Sequence, residues 1–234
     1  MSTQEAKAGK HPRILLVVGG GIAAYKACEL VRLIRKGGGD VTCVVTKGGQ
    51  QFVTPMSLAA LSENQVYTNL FDLKNEAEMG HIQLSRQADL VVVAPATADL
   101  MARMAQGLAN DLASTLLLAT DKRVLIAPAM NVRMWQHEAT RANVATLRAR
   151  GVTILEPDEG EMACGEFGPG RLPEPAAIKD AIIDADPAQA GVQEYKEWQG
   201  LLGHIRSLPD TDGDGLADIP TQGAAAEQRM LREP

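Results

Sequence analysis

Five short apolar runs recur along the chain: ILLVV (14–18), VTCVVT (41–46), DLVVVAPA (89–96), RVLIAPAM (123–130) and VTILEP (152–157). A strand with one wet face alternates apolar and polar residues. These runs are nearly continuous, as expected of parallel strands covered on both sides. Helical patterns fill the gaps. Tyr25, Cys28, Leu30, Val31 and Ile34 mark one that stops at Gly37-Gly38-Gly39. A long stretch from Ala98 to about Leu118 predicts a second, the segment through Arg150 a third, and a last core helix is expected near Glu174. Strand–helix alternation predicts a doubly wound, Rossmann- or flavodoxin-like α/β sheet. It forms a single domain over 13–186, after a flexible N-terminus at 1–12. Residues 187–234 form a C-terminal extension. There Val192, Tyr195, Trp198, Leu202 and Ile205 share one helical stripe, and a Gly-, Ala- and Asp-rich acidic tail has the composition of a disordered segment.

Composition narrows the partners. The 234 residues are 45% apolar but only 3% aromatic, so the core is built from Val, Leu, Ile, Ala and Met. A net charge of −6 argues against nucleic acid, whose phosphates need a basic face. No apolar run approaches the roughly 20 residues of a membrane helix, and MSTQEAKAGKHPR lacks a signal-peptide core. Three scattered cysteines give neither a disulfide framework nor a paired zinc site, and a cytoplasmic location follows as the expectation. Asp210, Asp212, Asp214 and Asp218 resemble a calcium loop, but its twelfth position is Thr221 rather than Glu. A solvated acidic turn is expected there, and no metal.

In a doubly wound sheet, ligands bind beyond the carboxyl ends of the strands. Gly19, Gly21 and Ala24 fill G-x-G-x-x-[GA] after the first strand. Such a turn brings backbone N–H groups to a phosphate, although a ligand-free turn carries the same pattern. The second strand ends Thr46-Lys47-Gly48-Gly49, without the acid that holds a dinucleotide ribose. A mononucleotide such as FMN therefore gains on NAD, while NADP stays open through Lys47.

GGGIAAYK, FVTPMSLAAL, GHIQLSR, APATADL, APAMNVRMW and ACGEFGPGRL occur in this order over residues 12–183. Together they resemble the flavin-containing cysteine decarboxylases. The resemblance implies FMN held by Gly20, Gly21 and Ile22, by Thr46 and Lys47, by Thr97, Ala98, Asp99 and Leu100, and by Ala129. It implies a homo-oligomer, a trimer or a trimer-based dodecamer, with the flavin between subunits. It places the active-site histidine at His81, the substrate-binding asparagine at Asn131 and the reactive cysteine at Cys164. Asp99 departs from the family's usual Asn, and an ionised Asp only accepts hydrogen bonds. Many family members continue into a synthetase domain; residues 190–234 match nothing in the family.

The implied activity is decarboxylation of 4′-phospho-N-pantothenoylcysteine to 4′-phosphopantetheine in coenzyme A biosynthesis. The alternatives are oxidative decarboxylation of a peptide's C-terminal cysteine, or a non-catalytic regulatory flavoprotein subunit. A cysteine-derived carboxylate has no electron sink, and flavin oxidation of the thiol carbon provides one. His81 suits removal of the thiol proton, Asn131 the holding of substrate, and Arg171 the anchoring of phosphate or carboxylate. Cys164 suits proton return, on a loop with Gly165, Gly168 and Gly170 as hinges. Simpler roles stand beside these. Asn131 also suits a helix N-cap. Cys28 and Cys43 suit packing, and His11, His137 and His204 structural or solvated positions.

Overall fold

The computed structural model describes residues 12–70, 80–162 and 165–185. The chain divides into two units, Met1–Pro187 and Ala188–Pro234, and every described residue lies in the first. The expected C-terminal helix and acidic tail, Cys164, and the flexible N-terminus up to His11 fall outside the described residues.

Among the described residues, six parallel strands form the main sheet: β1 (Arg13–Val18), β2 (Asp40–Val45), β3 (Val66–Tyr67), β4 (Leu90–Ala96), β5 (Val124–Pro128) and β6 (Thr153–Ile154). Their order is β3-β2-β1-β4-β5-β6, so the winding reverses between β1 and β4. This is the doubly wound order, with its ligand crevice at that reversal. Leu16 faces Cys43 on one side and Val92 on the other. All of β4 and nearly all of β1 are buried, which is why these runs lack alternation.

The pleat divides β1 between two cores. Ile14, Leu16 and Val18 pack under α1 (Lys26–Lys36), α2 (Pro55–Ser62) and α8 (Pro175–Ala185). Leu15 and Val17 pack under α3 (Gly80–Gln87), α4 (Ala98–Gln106), α5 (Leu112–Ala119) and α7 (Glu138–Ala149). Each fully buried Leu or Ile contributes roughly 1.5–3 kcal/mol relative to exposure. On α1, Ala27, Leu30, Val31 and Ile34 make the buried stripe at helical spacing.

Two expected long helices are each two helices. Gly107, left-handed at φ 70°, ends α4, and Asp111 and Ser114 start α5 with a capping box. Likewise α6 (Val132–Gln136) ends at His137, whose Nδ1 accepts from the Ala139 N–H at 3.1 Å and caps α7. His137 is thus a helix junction rather than a helix interior residue.

The glycine-rich segment near residue 165 also differs from a supple loop. β7 (Asp158–Glu161) and β8 (Phe167–Arg171) pair antiparallel, with Gly160 opposite Gly168. Gly168 and Gly170 therefore lie within a ladder, not at hinges. Gly170 is there for room: a Cβ would sit 2.3 Å from the Met130 carbonyl, and the Met130 N–H donates to the Gly170 carbonyl at 3.0 Å. Gly165 closes the turn, donating to the Met162 carbonyl at 2.8 Å.

Candidate active site

Four loops meet at the carboxyl edge of the sheet. After β1, Gly19 donates to the Pro95 carbonyl at 3.1 Å, and a Cβ on Gly19 would fall 2.3 Å from that oxygen. Gly21 turns the chain at φ 106°, a conformation that only glycine adopts cheaply, into a 3₁₀ turn Ile22–Tyr25 that leads into α1. After β2, Thr46 is built into the turn: Oγ1 donates to the Val18 carbonyl at 3.2 Å and accepts from Gly49 N–H at 3.0 Å. A Cβ on Gly20 would stand 3.2 Å from the Gly48 carbonyl carbon, so these two loops touch.

After β4, Thr97 caps α4 by accepting from Leu100 N–H at 3.1 Å. Asp99, in the first turn, points outward and pairs with Arg103 at 2.9 Å. An acid suits that position beside the helix dipole. After β5, Ala129 donates to the Ala96 carbonyl at 3.0 Å. Asn131 caps α6 through Oδ1, which accepts from the N–H groups of Arg133 at 2.8 Å and Met134 at 3.4 Å. Its Nδ2 donates to a carboxylate oxygen of Glu166, and the other oxygen accepts from Arg133 Nε at 3.2 Å. The loop after β5 is thereby tied to the β7–β8 hairpin.

These loops enclose two crevices. The first, about 440 Å³, is lined by Gly20, Gly21, Ile22, Ala129, Asn131 and Arg171, with Tyr25, Lys26, Met130, Glu161, Met162 and Leu172 among its further walls. The second, about 530 Å³, takes Thr46 and Lys47 together with Gln50, Thr68, Asn69, Asn110 and Asp111. Both fall in the size range of small-ligand sites. Thr97, Ala98, Asp99 and Leu100 line neither. Thr97 still approaches the cradle: its Cγ2 would be 3.5 Å from a Cβ on Gly19. His81 is the second residue of α3. Its side chain, like the whole of Cys164, is outside the described residues.

One wall of the first crevice is charged. Lys26 Nζ lies 2.7 Å from Glu174 Oε1, and Arg171 reaches 4.0 Å from the same oxygen. The Lys26 hydrogen bond holds the Glu174 carboxyl below the usual glutamate range. The described thiols are packing groups: burial, with a smaller contribution from Cys28, pushes Cys43 up to about 12.

Sequence reasoning missed Lys26, although it closes the GGGIAAYK motif. It also missed Glu166 and the Asn110–Asp111 wall. Glu166 and Asn131 lie 35 positions apart, with no local periodicity joining them.

The fold and this edge define a doubly wound α/β protein with a glycine cradle at its switch point. The Flavoprotein family model matches residues 1–185, and the chain belongs to that family. It is 51% identical over 185 residues to the coenzyme A biosynthesis bifunctional protein CoaBC of Vibrio vulnificus, covering 78% of this chain and 46% of that one. The Escherichia coli CoaBC is also 51% identical, over 176 residues, 75% of this chain and 43% of that one. The chain thus spans less than half the length of these relatives. Among solved structures, a PPC decarboxylase mutant complexed with pantothenoylaminoethenethiol superimposes with TM-score 0.67 at 31% identity, over 74% of this chain and 97% of that one. The FMN-dependent cysteine decarboxylase SpaF follows with TM-score 0.64 at 29% identity, over 74% and 97%.

Proposed function

We propose that the chain is an FMN-dependent carbon–carbon lyase that decarboxylates 4′-phospho-N-pantothenoylcysteine to 4′-phosphopantetheine in coenzyme A biosynthesis. One observation carries the reading: the crevice at the switch point joins the glycine cradle to the Asn131 carboxamide and the Arg171 guanidinium. Similarity to the CoaBC proteins and to PPC decarboxylase supports the substrate.

The residues fit a flavin mononucleotide. Gly20 and Gly48 leave no space for side chains between their loops, so backbone lies open to the ligand. Ile22, Tyr25, Ala129 and Met130 offer an apolar wall to a flat ring. Thr46 and Lys47 offer a hydroxyl and a cation to the phosphate or ribityl chain, and Thr97 approaches the cradle at Gly19, with Ala98, Asp99 and Leu100 in the first turn of α4 that follows. When bound, FMN supplies the two-electron acceptor and donor that the substrate lacks. His81 takes the thiol proton of the substrate. Asn131 holds its carboxylate by Nδ2, and Arg171 anchors its phosphate. Cys164 delivers the proton that carbon needs once carbon dioxide has left.

The same reading assigns a homotrimer, alone or within a dodecamer, in the cytoplasm. Exposed apolar residues support an interface: Met56 is 81% exposed, Phe167 71% and Ile22 63%.

Purified protein is expected to be yellow, and mass spectrometry of incubated substrate is expected to show loss of carbon dioxide with no oxidised product. A colourless protein that FMN cannot reconstitute refutes the reading. Turnover of a peptide ending in cysteine, with phosphopantothenoylcysteine untouched, would transfer it to the peptide-modifying branch.

A further inference from the structure

The Asn131–Glu166–Arg133 cluster has more structure than a helix cap requires. Asn131 commits Oδ1 to the start of α6, which turns Nδ2 toward the hairpin. There a single carboxylate, that of Glu166, spans two donors: Asn131 Nδ2 on one oxygen and Arg133 Nε on the other. Asn131 also lines the 440 Å³ crevice; Arg133 and Glu166 do not, and the Arg133 side chain is 86% exposed. The substrate class proposed above brings a carboxylate of its own to the same Nδ2.

We propose that Asn131 and Arg133 form a carboxylate seat, and that Glu166 is a specificity-determining residue, the seat's resident occupant until a ligand carboxylate displaces it. This rests on the decarboxylase reading for the identity of that ligand. Two carboxylates of the same shape and charge exchange on the same donors, so the half-buried Asn131 amide and the Arg133 guanidinium keep a charged acceptor throughout the exchange. An internal competitor lowers the apparent affinity of any ligand by the fraction of time it holds the seat. Small anions bring nothing else to offset that loss and are refused. A pantothenoyl ligand also contacts the rest of the crevice and displaces Glu166. A ligand without a carboxylate never meets the competition.

The test uses the FMN-loaded full chain and two unreactive ligands that differ by one carboxylate, N-pantothenoylserine and N-pantothenoylethanolamine, measured by calorimetry. In Glu166→Gln the serine ligand is expected to bind about tenfold more tightly, the competing ionic hydrogen bonds being gone, and the ethanolamine ligand within about twofold of wild type. Weaker binding of the serine ligand, or equal change for both, overturns the proposal and makes Glu166 a support for Asn131. The flavin absorbance of the variant reports its fold.

A second measurement is independent of the substrate. Crystals of Glu166→Ala grown in acetate are expected to show acetate bridging Asn131 Nδ2 and Arg133 Nε, and wild-type crystals to show Glu166 there. Ordered water in the variant's seat overturns the proposal. Seated acetate, with neither pantothenoyl ligand bound by wild type, sustains the seat and refutes the decarboxylase reading instead.

Discussion

The two crevices at the carboxyl edge have no lining residue in common; their loops touch where Gly20, in the first, packs on Gly48, the neighbour of Lys47 in the second. The first is apolar on its broad sides, through Ile22, Ala23, Tyr25, Met130 and Leu172, and concentrates its polar groups in Lys26, Asn131, Glu161 and Arg171. The second sets Thr46, Lys47, Gln50, Thr68, Asn69, Asn110 and Asp111 among Val45, Leu70, Ala109, Leu112 and Ala113, so its polar groups are more numerous and more dispersed. A few convergent polar groups on an apolar surface orient a reacting molecule. A wall with dispersed hydroxyl, amide and charged groups suits a charged chain that needs holding but no chemistry. The contrast separates residues expected to affect turnover from residues expected to affect cofactor retention.

The glycine packing beneath both crevices is the largest lever. Gly19→Val places a Cβ 2.3 Å from the Pro95 carbonyl and forces β1 and β4 apart. Both crevices should fail together, with a loss of about 3 kcal/mol or more in denaturant unfolding and no retained flavin. A variant that stays yellow would show that this packing yields and that the crevices are separable.

Asn131→Ala acts on the first crevice alone. Turnover should fall by about a hundredfold or more while flavin absorbance persists. The lost cap should cost about 1 kcal/mol in thermal unfolding. Equal loss of cofactor would erase the distinction between the two regions.

Lys47→Ala acts on the second. Its cation is expected to favour the flavin phosphate, so FMN affinity should weaken by about tenfold, with turnover at saturating FMN little changed. Fluorescence titration of apoprotein with FMN reads the first, and steady-state assay the second.

The smallest effect belongs to the Lys26–Glu174 pair. Glu174 is held below its ordinary range by Lys26, so its contribution is complete above that range and disappears as pH falls through the lowered value. The group is 60% exposed, and the pair is worth less than about 1 kcal/mol. Glu174→Gln should therefore differ from wild type in melting temperature at neutral pH and converge with it as pH falls through the lowered value of the Glu174 carboxyl. An undiminished difference in acid would show that Gln disturbs packing rather than charge.

Legibility in sequence followed the range of the interaction. The buried strands and the α1 stripe depend on residues a few positions apart, and the first four strand runs lay where the structure has them; the run at 152–157 yields only the two-residue, partly exposed β6 at the sheet edge. The cuts at Gly107 and His137 were missed because apolar spacing continues across both, while the break is made by one left-handed glycine and one side-chain cap. Gly168 and Gly170 looked pliant for a similar reason. A glycine that bends and a glycine that admits a neighbour's backbone are the same letter, and the neighbour here is Met130, some 40 positions away in a different loop.

The sequence by itself determined a doubly covered parallel sheet, a glycine cradle after β1 and the family, because strand burial, turn conformation and ordered motifs are local properties of the chain. Only the tertiary structure decided that Thr46 and Lys47 face a different crevice from Asn131 and Arg171. It alone decided that Glu166 occupies the Asn131 amide. Those outcomes depend on which loops the order β3-β2-β1-β4-β5-β6 brings side by side, and contacts across that edge leave no periodic trace in the chain.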